Sequence, residues 1–472
     1  MNKPRKQRPA KPAPTPGPRS PRPTGLELTA NPRLAAFRVL KEVAEGRTPE
    51  ETLISHGLLL SPRDLGLTAA LVYEVLRRRA GLEWLMKSRL SAGKASPDLA
   101  LVLMLGLAQL LYFDRLGDHA VVSETVALAK TVAPGRQGLV NAVLRGLLRD
   151  REAGGPWPPT PPASGDPARD LALTHSFQPW LTQGLLNRLG PAETEALLIA
   201  ANRPTPPTLR LNPLRGAREE LRALLPFETK PTGLSPWGLQ AAGFAGRPED
   251  WPGFSEGRFA VQDEASQLVG LIAGALPDGA RVLDVCAGLG GKSLHLAALN
   301  PRAAITSSDK DPAKLERLTR EALRLGCANV TTESRDLLND PPPPAAFDLV
   351  VVDAPCSGLG VIRRRPDLKW SKTADDLPRL ARLQLALLTA AAPAVRPGGR
   401  LLYGVCSFSE IEGPGVVEKF LAAQPRFRAA PAEAWPEELR PLLTPAGHLT
   451  LWPHRQGTDG FFWAILIKDS EP

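Results

Sequence analysis

The chain has 472 residues, 43% of them apolar and 23% charged, and a formal net charge of +9. That length exceeds what one hydrophobic core supports, so two or three domains are expected. The apolar content is ordinary for a soluble protein, and the longest apolar run, Leu99–Phe113, is interrupted by Gln109 and too short to span a bilayer.

The charge is unevenly spread. Lys3, Arg5, Lys6, Arg8, Lys11, Arg19 and Arg22 precede the first acid, Glu27, and supply seven of the positive charges. This Pro-rich stretch, residues 1–30, cannot bury a core and reads as a disordered basic tail. No apolar segment follows it, so no secretory signal is expected. The four cysteines, Cys286, Cys327, Cys356 and Cys406, lack CxxC spacing. They fit reduced thiols in the cytoplasm and no metal site.

From Asn31 the pattern is helical. Asn31-Pro32 and Ser61-Pro62 are caps followed by proline at the first helical position. Ala36, Leu40 and Val43 mark one face, and Leu65, Ala69, Val72 and Leu76 another. Further helices are expected at about 82–90, 98–113, 120–132 and 136–150, making residues 31–150 an all-α domain. Arg77, Arg78, Arg79, Arg136, Arg145 and Arg149 lie on its polar faces. Residues 151–169, with Gly154-Gly155 and repeated prolines, read as a linker.

Residues 170–260 are expected to form a small module. It has a helical segment over Leu171–Ala201, then an extended strand, Pro206–Pro213, with Arg210 and Asn212 on one side. From 261 to 472 strands and helices alternate. Strands are predicted near 281–286, 303–308, 329–333, 347–353 and 400–405, with helices between, and the chain closes with strands at 448–452 and 460–467. The pattern is α/β, a doubly wound parallel sheet of Rossmann-like type.

Three stretches carry chemistry. Leu283-Asp-Val-Cys-Ala-Gly-Leu-Gly-Gly-Lys-Ser293 is a strand, a Gly-rich turn and a helix start, suited to a close ligand approach. It matches neither a P-loop nor a GxGxxG fingerprint. Asp309 ends the next strand, where a carboxylate can accept two ribose hydroxyls, and Asp336 follows the third strand. Together these point to S-adenosylmethionine. Asp353-Ala-Pro-Cys356 and Tyr403-Gly-Val-Cys-Ser407 each deliver a cysteine past a strand's carboxyl end. Two thiols and a carboxylate in one crevice suit chemistry on an electrophilic ring. Spacing alone leaves open which cysteine attacks.

These motifs, with Pro366-Asp-Leu-Lys-Trp370 and Asp459-Gly-Phe-Phe462, resemble the RNA 5-methylcytosine methyltransferases, and among them the bacterial RsmB (Fmu/Sun) type. Residues 31–150 resemble the RNA-binding antitermination factor NusB. The chain departs from the family at Leu289, where a proline is usual, and at Val405, where a threonine is usual. The resemblance implies methylation of small-subunit ribosomal RNA. Transfer RNA, or a non-catalytic assembly factor, are the alternatives. It implies Cys406 as nucleophile on cytosine C6, Cys356 as the group that helps remove the C5 proton, and Asp353 as donor to N3. Cys286, Ala287, Gly288, Leu289, Gly290, Gly291, Lys292, Asp309, Asp336 and Asp353 are the expected cofactor contacts. Arg210, Arg363, Arg364, Arg365 and Lys369 are expected on RNA phosphates. With all catalytic candidates beyond residue 280, the N-terminal domain is assigned to RNA capture, and the protein is expected to act as a monomer away from membranes.

Overall fold

A computed structural model describes residues 29–90, 95–242 and 246–470. All but the last two residues of the basic tail lie outside them.

The N-terminal domain is built on α1 (Pro32–Ala44), α2 (Pro49–His56), α3 (Pro62–Arg89), α4 (Pro97–Tyr112), α5 (Asp118–Val132) and α6 (Gln137–Glu152). The first four open alike, with Asn31, Thr48, Ser61 or Ser96 accepting from helix N–H groups and a proline next. Helix α4 is apolar all round because it runs through the centre of the domain, with Val102, Leu103, Leu105 and Leu107 fully buried. The separate helix expected at 82–90 does not exist. Helix α3 is one 28-residue helix that continues through Gly81, supported by the Arg78–Glu74 and Arg79–Glu83 pairs one turn apart.

The linker is shorter than the expected 151–169, since α6 reaches Glu152 and α7 (Pro167–His175) starts inside it; α8 (Pro179–Ala201) follows, kinked at Gly190-Pro191. The single segment expected here is broken at Ser176, whose left-handed backbone ends α7. Phe177, Leu181, Leu185 and Leu198 pack against Leu359, Ile362, Phe408 and Trp452 of the catalytic domain. Next are β1 (Thr208–Leu211), α9 (Arg218–Leu224), β2 (Thr229–Pro231), β3 (Gly238–Ala241) and β4 (Phe259–Val261). They form an antiparallel sheet of order β2-β3-β1-β4.

The catalytic domain runs α10 (Glu264–Ala273), β5 (Arg281–Asp284), α11 (Gly291–Leu299), β6 (Ala304–Asp309), α12 (Pro312–Leu325), β7 (Val330–Ser334), β8 (Phe347–Asp353), α13 (Leu368–Ser371), α14 (Asp376–Ala391), β9 (Val395–Val405), α15 (Pro414–Ala423), β10 (Phe427–Ala429), β11 (Leu449–Leu451), α16 (Pro453–Gln456) and β12 (Phe461–Lys468). The sheet order is β10-β12-β9-β8-β5-β6-β7, with β11 beside β12. Strands β9, β8, β5, β6 and β7 are parallel, and Val350, Val351 and Val352 are fully buried, as covered parallel strands require. The sheet is not wholly parallel, as the alternation predicted. Strand β12 inserts antiparallel between β9 and β10. No long crossover helix precedes it, and a strand reached by chain reversal pairs antiparallel. Strand order reverses between β5 and β8, so a crevice opens at their carboxyl ends. No helix among the described residues is long and apolar enough to cross a membrane.

Candidate active site

The turn after β5 opens that crevice. Gly288 (φ 55°) and Gly290 (φ 84°) both lie in the left-handed region. A side chain at Gly290 would meet Leu318 at 2.4 Å, so that glycine lets α12 pack close, whereas at Gly288 nothing stands within 4 Å and a ligand can approach. Gly288 N–H donates to Asp309 Oδ2 (2.9 Å), and Asp311 N–H to Asp309 Oδ1 (2.9 Å). Each oxygen keeps a lone pair for further donors. Leu289, in place of the family's proline, stands half-exposed at the tip. A carboxylate with free lone pairs beside an open glycine turn at a helix start suits a ligand with adjacent hydroxyls, as an adenosine cofactor has. Asp336 is exposed past β7, with its carboxylate bonded to Leu338 N–H and Asn339 Nδ2 of its own turn.

Two groups frame the turn, half-buried Cys286 and buried Asp284. Burial pushes the Cys286 thiol up, and Asp284, Asp353 and Asp309 add to the effect, which leaves it a protonated thiol. Burial also pushes Asp284 up to about 6, against a hydrogen bond from Ser293 Oγ (2.6 Å). A carboxyl raised on folding stabilises below its unfolded pKa, and the benefit is lost as pH rises through about 6. Asp284→Asn escapes that loss. It should gain on the wild type between acid and neutral pH, on the order of 3 kcal/mol from a shift of about two units. Thermal melts at both ends of that window check it, and parallel stability profiles would refute it.

Strands β8 and β9 are adjacent and parallel, and Asp353 stands opposite Gly404. Their ends bring the two cysteine loops to one place, where Cys356 Sγ and Cys406 Sγ lie 3.1 Å apart. The loops are tied by Gly360 N–H to Cys406 O (3.0 Å) and Gly460 N–H to Gly360 O (2.9 Å), which brings in Asp459-Gly460. The hydrogen bond with Cys406, then burial, pushes the Cys356 thiol well above its usual value. Asp353 is ion-paired with Lys292, whose ammonium lies 5.2 Å from the Phe461 ring centre. Lys292 thus reaches across the turn to the catalytic strand.

The expected phosphate clamp is not there. Lys369 is 1% exposed and donates to Arg77 O (2.6 Å), Ser176 O (2.7 Å) and Asn202 Oδ1 (3.0 Å). Arg363 and Arg364 are ion-paired with Asp459 and Asp263 in a mostly buried box. Arg365 pairs with Glu50 and Asp367. Arg210 is buried and donates to Gln262 Oε1 (2.6 Å) and to Gly291 O. Lys369 spends all three of its donors on internal acceptors, and the four arginines are each held by internal partners. These cations assemble the domains, and Arg210 buttresses the cofactor helix. Among the predicted cations of the N-terminal domain, Arg77 is buried at this junction, whereas Arg136, Arg145 and Arg149 are exposed.

Sequence reasoning also missed Glu412, a fully buried acid between β9 and α15. Its oxygens accept from Ser357 N–H (2.7 Å), Ser357 Oγ (2.5 Å), Ser407 Oγ (2.7 Å) and Gln384 Nε2 (3.1 Å). One loop glutamate carries no periodicity or spacing that would have singled it out.

The sheet, its reversed last strand and the glycine turn define a Rossmann-like methyltransferase behind a helical domain. Residues 272–467 match the family described as 16S rRNA methyltransferase RsmB/F, and residues 30–149 the NusB family. A probable ribosomal RNA small subunit methyltransferase B of Synechocystis is 34% identical, over 92% of this chain and 99% of the relative. The ribosomal RNA small subunit methyltransferase B of Pseudomonas putida is 35% identical, over 93% and 98%. The solved structure of PH0851 superposes with a TM-score of 0.76 over 94% of this chain and 100% of that one, at 24% identity, a likeness of fold. The chain belongs to the ribosomal RNA small subunit methyltransferase B family.

Proposed function

We propose that the protein methylates C5 of a cytosine in small-subunit ribosomal RNA through a covalent bond between Cys406 and the base. The observation that carries this reading is the pair of sulfurs 3.1 Å apart beside Asp353, at the mouth of the cofactor turn. S-adenosylmethionine, held by the 286–291 turn and Asp309, supplies an electrophilic methyl group on a positively charged sulfur.

Cytosine C5 is a weak nucleophile. Addition of the Cys406 thiolate to C6 forms an S–C6 bond and moves the C5–C6 π pair to C5; that carbon would take the methyl group as the sulfonium S–CH3 bond breaks and its electron pair leaves with the neutral thioether. Cys356, after losing its own proton to solvent, takes the C5 proton as a thiolate, the double bond re-forms, and Cys406 departs as thiolate. The Lys292–Asp353 pair changes the division of labour expected from sequence. Held beside an ammonium, Asp353 serves as acceptor for the cytosine N4 amine, while Lys292 is the donor toward N3, where negative charge develops. The base reaches both thiols only when unstacked, which favours a loop or single strand.

The test is methylation of a small-subunit ribosomal RNA transcript and of bulk transfer RNA by the full chain with labelled S-adenosylmethionine, read by bisulfite sequencing. One protected cytosine in the ribosomal transcript is expected. Label confined to transfer RNA, or on an atom other than C5, would overturn the assignment.

A further inference from the structure

Neither sulfur reaches the other by strand geometry alone. Each cysteine sits in an irregular loop after its strand, and a loop needs outside partners to hold a side chain in place. Glu412 supplies partners to both. Its Oε2 accepts from Ser357 Oγ and Ser407 Oγ, the residues directly after Cys356 and Cys406, while Oε1 accepts from Ser357 N–H and Gln384 Nε2. Gln384 in turn donates to Pro355 O (2.9 Å), so Cys356 is held on both sides. Tyr403 Oη fixes the Glu412 backbone through its carbonyl (2.6 Å). Four donors and no acceptor surround the side chain, the complement of a carboxylate anion.

We propose that Glu412 is a positioning residue for the cysteine pair, clamping the two loops so that the sulfurs meet and setting a fixed negative charge beside Cys356. This rests on the two-thiol reading above. The charge makes the pair unequal. Facing Cys356 are Cys406 from β9, Glu412 from the following loop and buried Tyr403, with the Lys292–Asp353 ion pair at the end of its own strand. The nearby anion discourages a second negative charge, so Cys356 is the member that keeps its proton and donates toward Cys406 Sγ. Cys356 stays a thiol through the attack and gives up its own proton before, as thiolate, it takes the one on C5.

The experiment is site-resolved alkylation of the folded, full-length protein by iodoacetamide across pH, without RNA or cofactor, with each cysteine quantified by mass spectrometry. In the wild type Cys406 should react faster than Cys356. Glu412→Gln preserves shape, and its amide can face the two serine hydroxyls, which turn to accept. The Cys406/Cys356 rate ratio should then fall roughly tenfold, with the Cys356 profile moving about one pH unit toward acid. Turnover should fall by a similar factor at unchanged KM for S-adenosylmethionine. If Glu412→Gln does not fold, Ser357→Ala/Ser407→Ala cuts both hydroxyl tethers, and the same ratio should change. An unaltered ratio and pH profile in the variant that folds would overturn the proposal. The readout is independent of which base is methylated, so failure here is distinct from failure of the assigned reaction.

Discussion

Replacing Cys406 by alanine is expected to abolish methyl transfer, by roughly 10⁴-fold or more, because it removes the group assigned to add to C6 and open the C5–C6 double bond. The variant should run free of RNA on a denaturing gel. Cys356→Ala should behave differently. Attack and methyl transfer proceed, but the C5 proton stays and Cys406 cannot leave, so a denaturant-resistant protein–RNA species should accumulate. It should require S-adenosylmethionine and vanish in the double variant. The two sulfurs lie 3.1 Å apart, so the separation by itself permits exchanged roles. An adduct in Cys406→Ala and none in Cys356→Ala would exchange them, and an adduct in neither would remove the covalent step from the proposal.

Lys369→Ala is expected to destabilise the full-length protein by about 3 kcal/mol and to lower turnover with it. The Lys369 ammonium is the bolt between three parts of the chain. It lies 4.3 Å from the Phe177 ring centre, and its acceptors come from α3, the end of α7 and the end of α8. Beside it Trp370 Nε1 donates to Leu76 O (2.6 Å), and Arg77 donates to Arg363 O (3.4 Å). Burial pushes the Lys369 pKa well below its usual value, and none of its three acceptors is a carboxylate. Truncation leaves those acceptors unpaired and opens a cavity. The same segment leads back to Cys356, so loosening it should slow chemistry while S-adenosylmethionine, whose proposed site lies on β5 and α11, binds as before. Melting and single-turnover rates check both halves. A variant within about 0.5 kcal/mol of wild type would show that the clasp is dispensable.

That clasp changes the role given to the N-terminal helices. Sequence assigns them to RNA capture because every reactive side chain lies far downstream. The structure shows the same helices bracing the segment after Cys356, so deleting them removes a support of the catalytic loop along with any RNA contact.

The sequence by itself determined the parts whose signals are local. Proline-following caps placed α1 and α3, buried apolar runs placed β8 and β9, and the glycine turn and Asp309 were both read at strand ends, where the structure joins them. The paired cysteines could be read because each motif follows a strand that ends at one crevice. Only the tertiary structure decided what depends on distant partners. Lys369, Arg363 and Arg364 look like a phosphate clamp in sequence, since a cation's partner cannot be read from its neighbours. Arg77 O and Asn202 meet Lys369, and Asp263 and Asp459 meet the arginines, only when separate elements fold together. The same reason hid Glu412, whose four donors come from two cysteine loops and a helix. The antiparallel course of β12 was hidden too, because an apolar run records burial and not direction.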